Sequence, residues 1–357
     1  MINRRRFLQS VAAAAIAPSW LVSCKQTDRA ESTLLPDPDQ LLDLPEGYSY
    51  TVVSRRGDMM SDGLRVPGAH DGMAAFKGEN GRIILVCNHE LYAPEFDWGP
   101  YLDGYEQLPE SFKQRVYDRG DDLTPGLGGT TTTIYNPASR KTERQFLSLA
   151  GTEYNCAGGW TPWGSWLTCE ESFANPGPSI SGSDGEFFRN QRHGYVFEVP
   201  SSATGLVDPI PLTAMGRFEH EATAVHEPTG IIYLTEDRWH SLFYRFIPNT
   251  PGKLREGGKL QALAVTGRPS MKTHNWEDSG MPLDQALETY WIDLEKVDGD
   301  EDDLRHRGTE AGAATFARGE GLCTAGDDFA FACTNGGPAR LGQVFVYSPS
   351  PYEGTEQ

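Results

Sequence analysis

One pattern of apolar and polar positions occurs four times along the chain. Each copy has a polar residue, a short apolar run, a turn that contains glycine, and a second apolar run that ends on polar residues. Short apolar runs separated by turn residues predict β-hairpins. The four predicted hairpins cover residues 71–90, 156–171, 221–237 and 320–335.

We call the first polar residue of each hairpin its head residue. The head residues are Asp71, Cys156, Glu221 and Glu320. In a hairpin, the first residue of one strand and the last residue of its partner lie at the same end. The second strands end on Glu90, on Glu170 and Glu171, and on Glu236 and Asp237. The spacing therefore predicts that these side chains meet at one end of the hairpins.

Further apolar runs and turn residues favour an all-β fold. Additional strands are predicted at residues 48–53, 130–135, 195–199, 243–247 and 342–347, and helical insertions at residues 103–122 and 282–296. Radial repetition explains the repeated hairpins best, because the blades of a propeller aim equivalent strand ends at one opening. We predict an all-β fold, a β-propeller with helical and loop insertions.

The N-terminus has the features of an export signal. Arg4 and Arg5 precede Phe7-Leu8 and an apolar stretch, which resembles a twin-arginine signal. Residues 21–24 resemble a lipobox with Cys24 as the lipidated residue, and ordinary cleavage nearby is the alternative. We expect a signal peptide over residues 1–23, a tether over 24–45 and the propeller domain over 46–357. The protein would then be exported, either periplasmic or lipid-anchored at the membrane surface.

The charge of the chain excludes some classes of function. Its net charge is −19, and removal of residues 1–23 would make it more negative by removing three arginines. An acidic surface repels nucleic acids, so no nucleic-acid binding is expected. It also repels anionic substrates, unless bound cations reverse the field at the site.

A cluster of carboxylates at one end of the hairpins requires cations. Like charges at such short range are costly in a low dielectric. Carboxylates favour calcium and ferric iron, whereas a thiolate indicates a transition metal, so a mixed cluster is predicted. The predicted metal ligands are Asp71, Glu90, Cys156, Glu170, Glu171, Glu221, Glu236, Asp237 and Glu320. Taken singly, each of them could instead be a turn residue or half of a salt bridge.

Arg318 adds a cation to this set. It lies two residues before Glu320, so both side chains would share a face of an extended strand. A guanidinium beside metal ions forms a planar fork for phosphate or carboxylate oxygens. The alternative is an ion pair between Arg318 and Glu320.

At these residues the chain resembles the PhoX-type alkaline phosphatases. The matching segments are residues 86–90, 155–171, 216–222, 233–237 and 316–321, which extend across most of the chain. The resemblance implies an exported β-propeller that hydrolyses phosphomonoesters with iron and calcium. It also implies that Cys156 is an iron ligand and that Arg318, Glu320 and Cys156 are catalytic.

Two departures from the family pattern are visible. Gly319 stands where the family has a proline, which loosens the backbone between Arg318 and Glu320. The chain also ends soon after Tyr347, where the resemblance implies further blades. We expect either a compact relative or a fragment whose propeller is incomplete at the C-terminus.

The sequence therefore predicts a metal-dependent phosphomonoester hydrolase with an iron and calcium cluster in the propeller opening. The expected partner is a small-molecule phosphoester, the expected state is a monomer, and membrane contact would occur only through a lipidated Cys24. Two other functions remain open at this point. One is a non-catalytic, calcium-stabilised propeller that serves as a binding scaffold, and the other is a calcium-dependent lactonase or phosphotriesterase.

Overall fold

The computed structural model describes residues 34–93, 95–181, 185–277 and 280–355. The predicted signal peptide and Cys24 lie outside these residues. Contacts divide the chain into one unit that ends at Thr51 and a second that begins at Val52. The predicted domain boundary at residue 46 stays a prediction. No helix in the described part of the chain is long and apolar enough to cross a membrane.

The second unit consists mostly of antiparallel strands, which confirms the predicted all-β class. The strands are β1 (His70–Lys77), β2 (Ile83–His89), β3 (Gly128–Asn136), β4 (Lys141–Thr152), β5 (Asn155–Trp160), β6 (Ser165–Glu170), β7 (Gly177–Ser181), β8 (Gly185–Arg189), β9 (Val196–Pro200), β10 (His220–His226), β11 (Ile231–Glu236), β12 (Phe243–Pro248), β13 (Gly258–Val265), β14 (Thr289–Asp293), β15 (Gly319–Ala325), β16 (Asp328–Cys333) and β17 (Gln343–Tyr347). The described helices are α1 (Glu110–Lys113), α2 (Leu304–Glu310) and the 3-10 turns Glu79–Gly81, Phe96–Trp98, Tyr105–Gln107, Thr213–Met215 and Leu254–Glu256.

The strands form successive sheets in chain order. These are β1-β2-β3-β4, β5-β6-β9, β10-β11-β12-β13-β14 and β15-β16-β17, with β7-β8 as a separate ribbon. The first strand of each large sheet belongs to a predicted hairpin. Strand β5 packs against β1 and β10, and β10 packs against β15. The four hairpins therefore stand side by side, each at one edge of its own sheet.

Two predicted elements are wrong. Residues 48–53 form no strand, and residues 282–296 contain strand β14 instead of a helix. Strand β14 pairs with β13, and Trp291 on it packs against the aromatic core and beneath the guanidinium of Arg245. Pairing with an existing sheet edge therefore outweighs the local helical pattern. Within 103–122, only α1 and one 3-10 turn are helical.

The core lies between consecutive sheets. Phe243 on β12 stacks on Phe331 on β16, with ring centroids 4.4 Å apart. Each such buried phenylalanine contributes about 1.5–3 kcal/mol through burial. Cys87, Cys169 and Cys333 are buried.

The same β-bulge occurs in all four hairpins. In the first, His70 pairs with His89 and regular pairing resumes at Met73 with Cys87, so two residues of β1 oppose one residue of β2. The extra residues in the four hairpins are 71–72, 156–157, 221–222 and 320–321. Each bulge therefore begins at a head residue. A bulge bends the strand and re-aims a side chain, which is why bulges are frequent beside active sites.

Side chains from neighbouring sheets hold two of these bulges. Asn88 Nδ2 donates to the backbone oxygens of Cys156 and Ala157 at 3.0 and 2.7 Å. Its Oδ1 accepts from Trp166 Nε1 at 2.8 Å. Thr235, on β11, holds the bulge of the fourth hairpin in a similar way, because its hydroxyl donates to the backbone oxygen of Glu320 at 2.7 Å. The bulges of consecutive sheets are thus tied to each other.

A buried ionic group fixes the end of β6. Glu170 accepts from His193 Nδ1 at 2.7 Å and from the backbone N–H groups of Gly194 and Tyr195 at 2.8 and 3.1 Å. The other ring nitrogen of His193 lies 3.0 Å from Asp118. Burial alone would lower the pKa of His193, but the surrounding carboxylates raise it to about 10. His193 is therefore a buried cation that holds two carboxylates.

We expect Asn88→Ala to lower the free energy of unfolding by about 1–3 kcal/mol, because it leaves buried backbone carbonyls without a donor. Urea unfolding measures this change. The control is Gln191→Ala, which removes an exposed amide side chain and should change stability by less than about 0.5 kcal/mol. Equal stability of the Asn88 variant and the parent protein would contradict a stabilising role for the hydrogen bonds of Asn88.

His193→Gln should change how stability depends on pH. Because the folded pKa of about 10 lies above the ordinary 6.5, the charge of His193 contributes its full stability below about pH 6.5. That contribution is lost as the pH rises towards 10. Urea unfolding at several pH values should therefore show the parent more stable than the variant at pH 6, with a difference that shrinks by pH 10. A difference that stays constant with pH would show that His193 is not charged in the folded protein.

Candidate metal centre

The head residues surround one cavity of about 400 Å³. Seven of the nine predicted metal ligands line it, together with Arg318 and Tyr154. The seven are Asp71, Glu90, Cys156, Glu171, Glu221, Asp237 and Glu320. Four separate sheets therefore contribute side chains to one place, as the hairpin spacing predicts.

A repeated backbone hydrogen bond positions the second residue that each hairpin contributes. We call this residue, the first after β2, β6, β11 or β16, the closing residue. Its N–H donates to the backbone oxygen of the residue two places before the head residue, at 2.9, 2.9, 3.3 and 3.1 Å in the four hairpins. The closing residues are Glu90, Glu171, Asp237 and Thr334. The bond clamps the ends of the two strands beside the cavity.

Two groups of ligand atoms are close enough to hold metal ions. Cys156, Glu171 and Glu221 have ligand atoms within 4.8 Å of one another, and so do Glu221, Asp237 and Glu320. Glu221 belongs to both groups, so the two positions are adjacent. Atoms this close can share an ion, because ligand-to-metal distances are about 2.0–2.6 Å.

The carboxylates of the cavity destabilise one another when no cation is bound. Burial, followed by the charge of Asp237, raises the pKa of Glu171 to about 8. Burial and the neighbouring Asp71 raise the pKa of Glu90 to about 7. Burial, with Glu320 as the main charged neighbour, raises the pKa of Glu221 well above its ordinary value. A bound cation would remove this repulsion and favour the ionised forms.

Cys156 gives the cavity its soft ligand. The side chain is 4% exposed, and its sulfur lies 3.4 Å from the backbone oxygen of His220 and 3.7 Å from that of Glu221. Burial and the charge of Glu221 raise the pKa of the thiol well above its ordinary value. A metal ion at this position would favour the thiolate, since metal binding displaces the proton of a ligating thiol.

Arg318 lines the cavity, but its backbone conformation differs from the one that the two-residue spacing predicts. The predicted extended conformation is wrong, because Arg318 has a φ of 56° and lies just before β15. Its Nε donates to Asp237 at 2.8 Å, and its Nη2 donates to Asp237 and, at 3.3 Å, to Glu320. Gly319, which follows it, donates its N–H to Ser241 Oγ at 3.3 Å. A proline at this position would have no N–H to donate.

Glu170 and Glu236 do not line the cavity. Each is the last residue of its strand and adjoins a closing residue, and successive side chains of a strand point to opposite faces. Glu170 is held by His193. Glu236 accepts from Tyr244 Oη at 2.8 Å and from the backbone N–H of Leu242 at 3.1 Å. The structure therefore brings seven of the nine predicted ligands to the cavity and leaves these two outside it.

The sequence reading missed Tyr154 and Thr334. Tyr154 lines the cavity and lies two residues before Cys156, the position that Arg318 occupies relative to Glu320. Tyr154 and Arg318 both have a left-handed backbone, with φ of 47° and 56°. Thr334 donates to Glu320 at 3.3 Å. Alignment of the four hairpins by head residue could have found both positions.

Comparison with known proteins identifies the family. The profile of the family described as alkaline phosphatase PhoX matches residues 30–141 and 127–357. A matching solved structure is described as Pseudomonas fluorescens PhoX in complex with vanadate, a transition state analogue, with a TM-score of 0.53 and 17% identity over 88% of this chain and 72% of that one. At that identity the likeness shows a shared fold. No curated protein gives a significant match. The chain belongs to the alkaline phosphatase PhoX family and is a phosphoric monoester hydrolase.

Proposed function

We propose that the chain hydrolyses phosphomonoesters with iron and calcium ions held in the cavity of the head residues. The observation that carries this proposal is one buried thiol among closely spaced carboxylates. Carboxylates alone would suit calcium, whereas a thiolate favours a transition metal. A mixed donor set supports a mixed cluster.

The residues present fit such a cluster. Cys156, Glu171 and Glu221 would hold the iron, and Glu221, Asp237 and Glu320 would hold a harder ion such as calcium. Asp71 and Glu90 line the same cavity and would bind a further calcium ion. Bound ions would supply Lewis acidity and neutralise the charge of a phosphate group.

Arg318 would bind the phosphate oxygens and stabilise charge on the transferring group. Nε and Nη2 are engaged by Asp237 and Glu320, and Nη1 has no hydrogen-bond partner among the described residues. The carboxylates fix the plane of the guanidinium and leave one donor group for a substrate. The Arg318 side chain is 40% exposed, so a ligand can reach it. Fixed orientation of this kind reduces the entropy lost when the substrate binds.

Glu320 has an electrostatic part in this proposal. It touches Arg318 and Thr334 and belongs to the second group of possible ligands. Its charge holds the guanidinium beside the cavity. Together with Arg318 and Cys156 it forms the proposed catalytic set.

The architecture and location of the protein belong to the same proposal. We propose that the successive sheets are propeller blades, because the first strands of consecutive sheets pack together and aim their bulges at one cavity. We also propose that the protein acts as an exported monomer, periplasmic or anchored through Cys24. The twin-arginine and lipobox-like segments support export.

Cys156→Ser should abolish the iron content of the protein and leave part of its calcium. Loss of an outer partner of a ligand already costs roughly 10- to 100-fold in metal affinity, and loss of a ligand costs more. Elemental analysis of purified, exported protein measures both metals. Cys323→Ser is the matched control, since Cys323 is exposed and lies outside the cavity. A parent protein that contains calcium alone at full occupancy would contradict the proposal and favour a calcium-dependent scaffold or hydrolase.

Arg318→Lys should keep the metal content and reduce kcat/KM for an aryl phosphate. A lysine provides a point charge but cannot reproduce the planar guanidinium contact. Loss of one charge-assisted contact is worth about 1.5–3 kcal/mol, a fall of roughly 10- to 150-fold. Steady-state kinetics with 4-nitrophenyl phosphate checks this, with Arg192→Lys as the control outside the cavity. Unchanged kinetics in the Arg318 variant would restrict Arg318 to ion pairing.

A further inference from the structure

Two of the nine described residues that line the cavity of the head residues, the metal cavity, are neither acids nor the thiol of Cys156. These two are Tyr154 and Arg318. In the proposed function, ions occupy the acids and the thiol, and Arg318 binds the phosphate. Tyr154 is the remaining side chain of the cavity, and that proposal gives it no role.

Tyr154 and Arg318 hold equivalent places in the second and fourth hairpins. Each lies two residues before its head residue, and its backbone oxygen accepts the hydrogen bond of the closing residue, at 2.9 Å for Tyr154 and 3.1 Å for Arg318. The equivalent residues of the other two hairpins, Ala69 and Glu219, do not line the cavity. Because β10 packs between β5 and β15, the two side chains enter the cavity from either side of the third hairpin.

The backbone of Tyr154 has a conformation that a bulky residue rarely adopts. Its φ is 47°, in the left-handed region that glycine tolerates best. Hydrogen bonds hold this conformation, because the N–H of Tyr154 donates to Leu91 at 2.9 Å and its backbone oxygen accepts from Glu171 at 2.9 Å. Such conformations cluster at active sites and ligand-binding sites. A large side chain at this position therefore indicates a use for that side chain.

The ring of Tyr154 is also held in place. It stacks on Tyr92, with ring centroids 5.1 Å apart and 18° between the ring planes. Burial raises the pKa of the Tyr154 hydroxyl to about 12, with smaller contributions from neighbours that include Glu90 and Glu171. Both acids line the cavity, so the hydroxyl lies near it. Even an ordinary phenol, with a pKa of about 10, is protonated at neutral pH and has a proton to donate.

We propose that the hydroxyl of Tyr154 donates a hydrogen bond to a phosphate oxygen of the substrate, together with Arg318. Equivalent positions lie at the same level beside the head residues, so Tyr154 faces the group that Arg318 binds. The guanidinium and the bound ions would attract the phosphate by charge, whereas the phenol would fix its orientation through a neutral donor. A donor held by ring stacking loses little freedom when the phosphate binds. This inference rests on the proposed phosphatase function and adds a substrate-binding residue to it.

Tyr154→Phe tests this contact, because it removes the hydroxyl and keeps the ring that stacks on Tyr92. In the metal-loaded full chain, kcat/KM should fall about twofold to tenfold, the size expected for one neutral hydrogen bond. The fall should be equal for 4-nitrophenyl phosphate and glycerol 3-phosphate, since both esters present the same phosphate group. The Kd of inorganic phosphate, measured by isothermal titration calorimetry, should rise by a similar factor. The iron and calcium contents should stay the same.

Tyr352→Phe is the matched control, since Tyr352 is 72% exposed and lies outside the cavity. This control should alter neither the kinetics nor the binding of phosphate. An unchanged Kd for phosphate in the Tyr154 variant would overturn the contact. A fall in kcat/KM for one ester alone would assign the hydroxyl to the leaving group, and loss of iron or calcium would make Tyr154 a metal ligand, so either result would also overturn it.

The two readouts separate this inference from the proposed function. A metal-loaded parent that binds phosphate through Tyr154 but hydrolyses neither ester would contradict the proposed function alone. A parent that hydrolyses both esters as fast as its Tyr154 variant, with equal Kd values for phosphate, would contradict the inference alone. A parent that neither binds phosphate nor hydrolyses the esters would contradict both.

Discussion

The crowding of acidic side chains at four equivalent bulges is the constraint on which the structure depends. In a hairpin without a bulge, side chains would alternate strictly between the two faces of the sheet, and the head residue would point to one of these faces. The extra residue at 71–72, 156–157, 221–222 and 320–321 breaks that alternation at one point in every hairpin. The same device, used four times, converts four sheets into one polar cavity.

The carboxylates of this cavity repel one another, so the surrounding structure must hold them in place. Fully buried polar side chains do this. Asn88 holds the bulge of the second hairpin, and Thr235 holds the bulge of the fourth. His193 fixes Glu170, which does not line the cavity, and thereby orients its neighbour Glu171, which does. A site supported in this way can keep ligand positions fixed before any ion binds, which is the usual requirement for metal selectivity.

The sequence contained the hairpins and their head residues because both are local patterns of period two. It could not distinguish which of two adjacent acids faces the cavity, since Glu170 or Glu171 fits the pattern equally well until the bulge fixes the register. Tyr154 was missed because a left-handed backbone at the strand entrance leaves no clear signal in residue type. Strand β14 depends on a free edge of β13, which is a tertiary fact.

A chain with a net charge of −19 that acts on phosphate esters must overcome repulsion between enzyme and substrate. Cations held by the head residues would do so. The metal cavity has an excess of carboxylates and becomes attractive to anions only when cations occupy it, so its affinity for phosphate is coupled to metal loading. A phosphate ester would therefore be drawn to the cavity only when the head residues hold their ions, so the carboxylates that repel the substrate in the empty site also hold the cations that attract it.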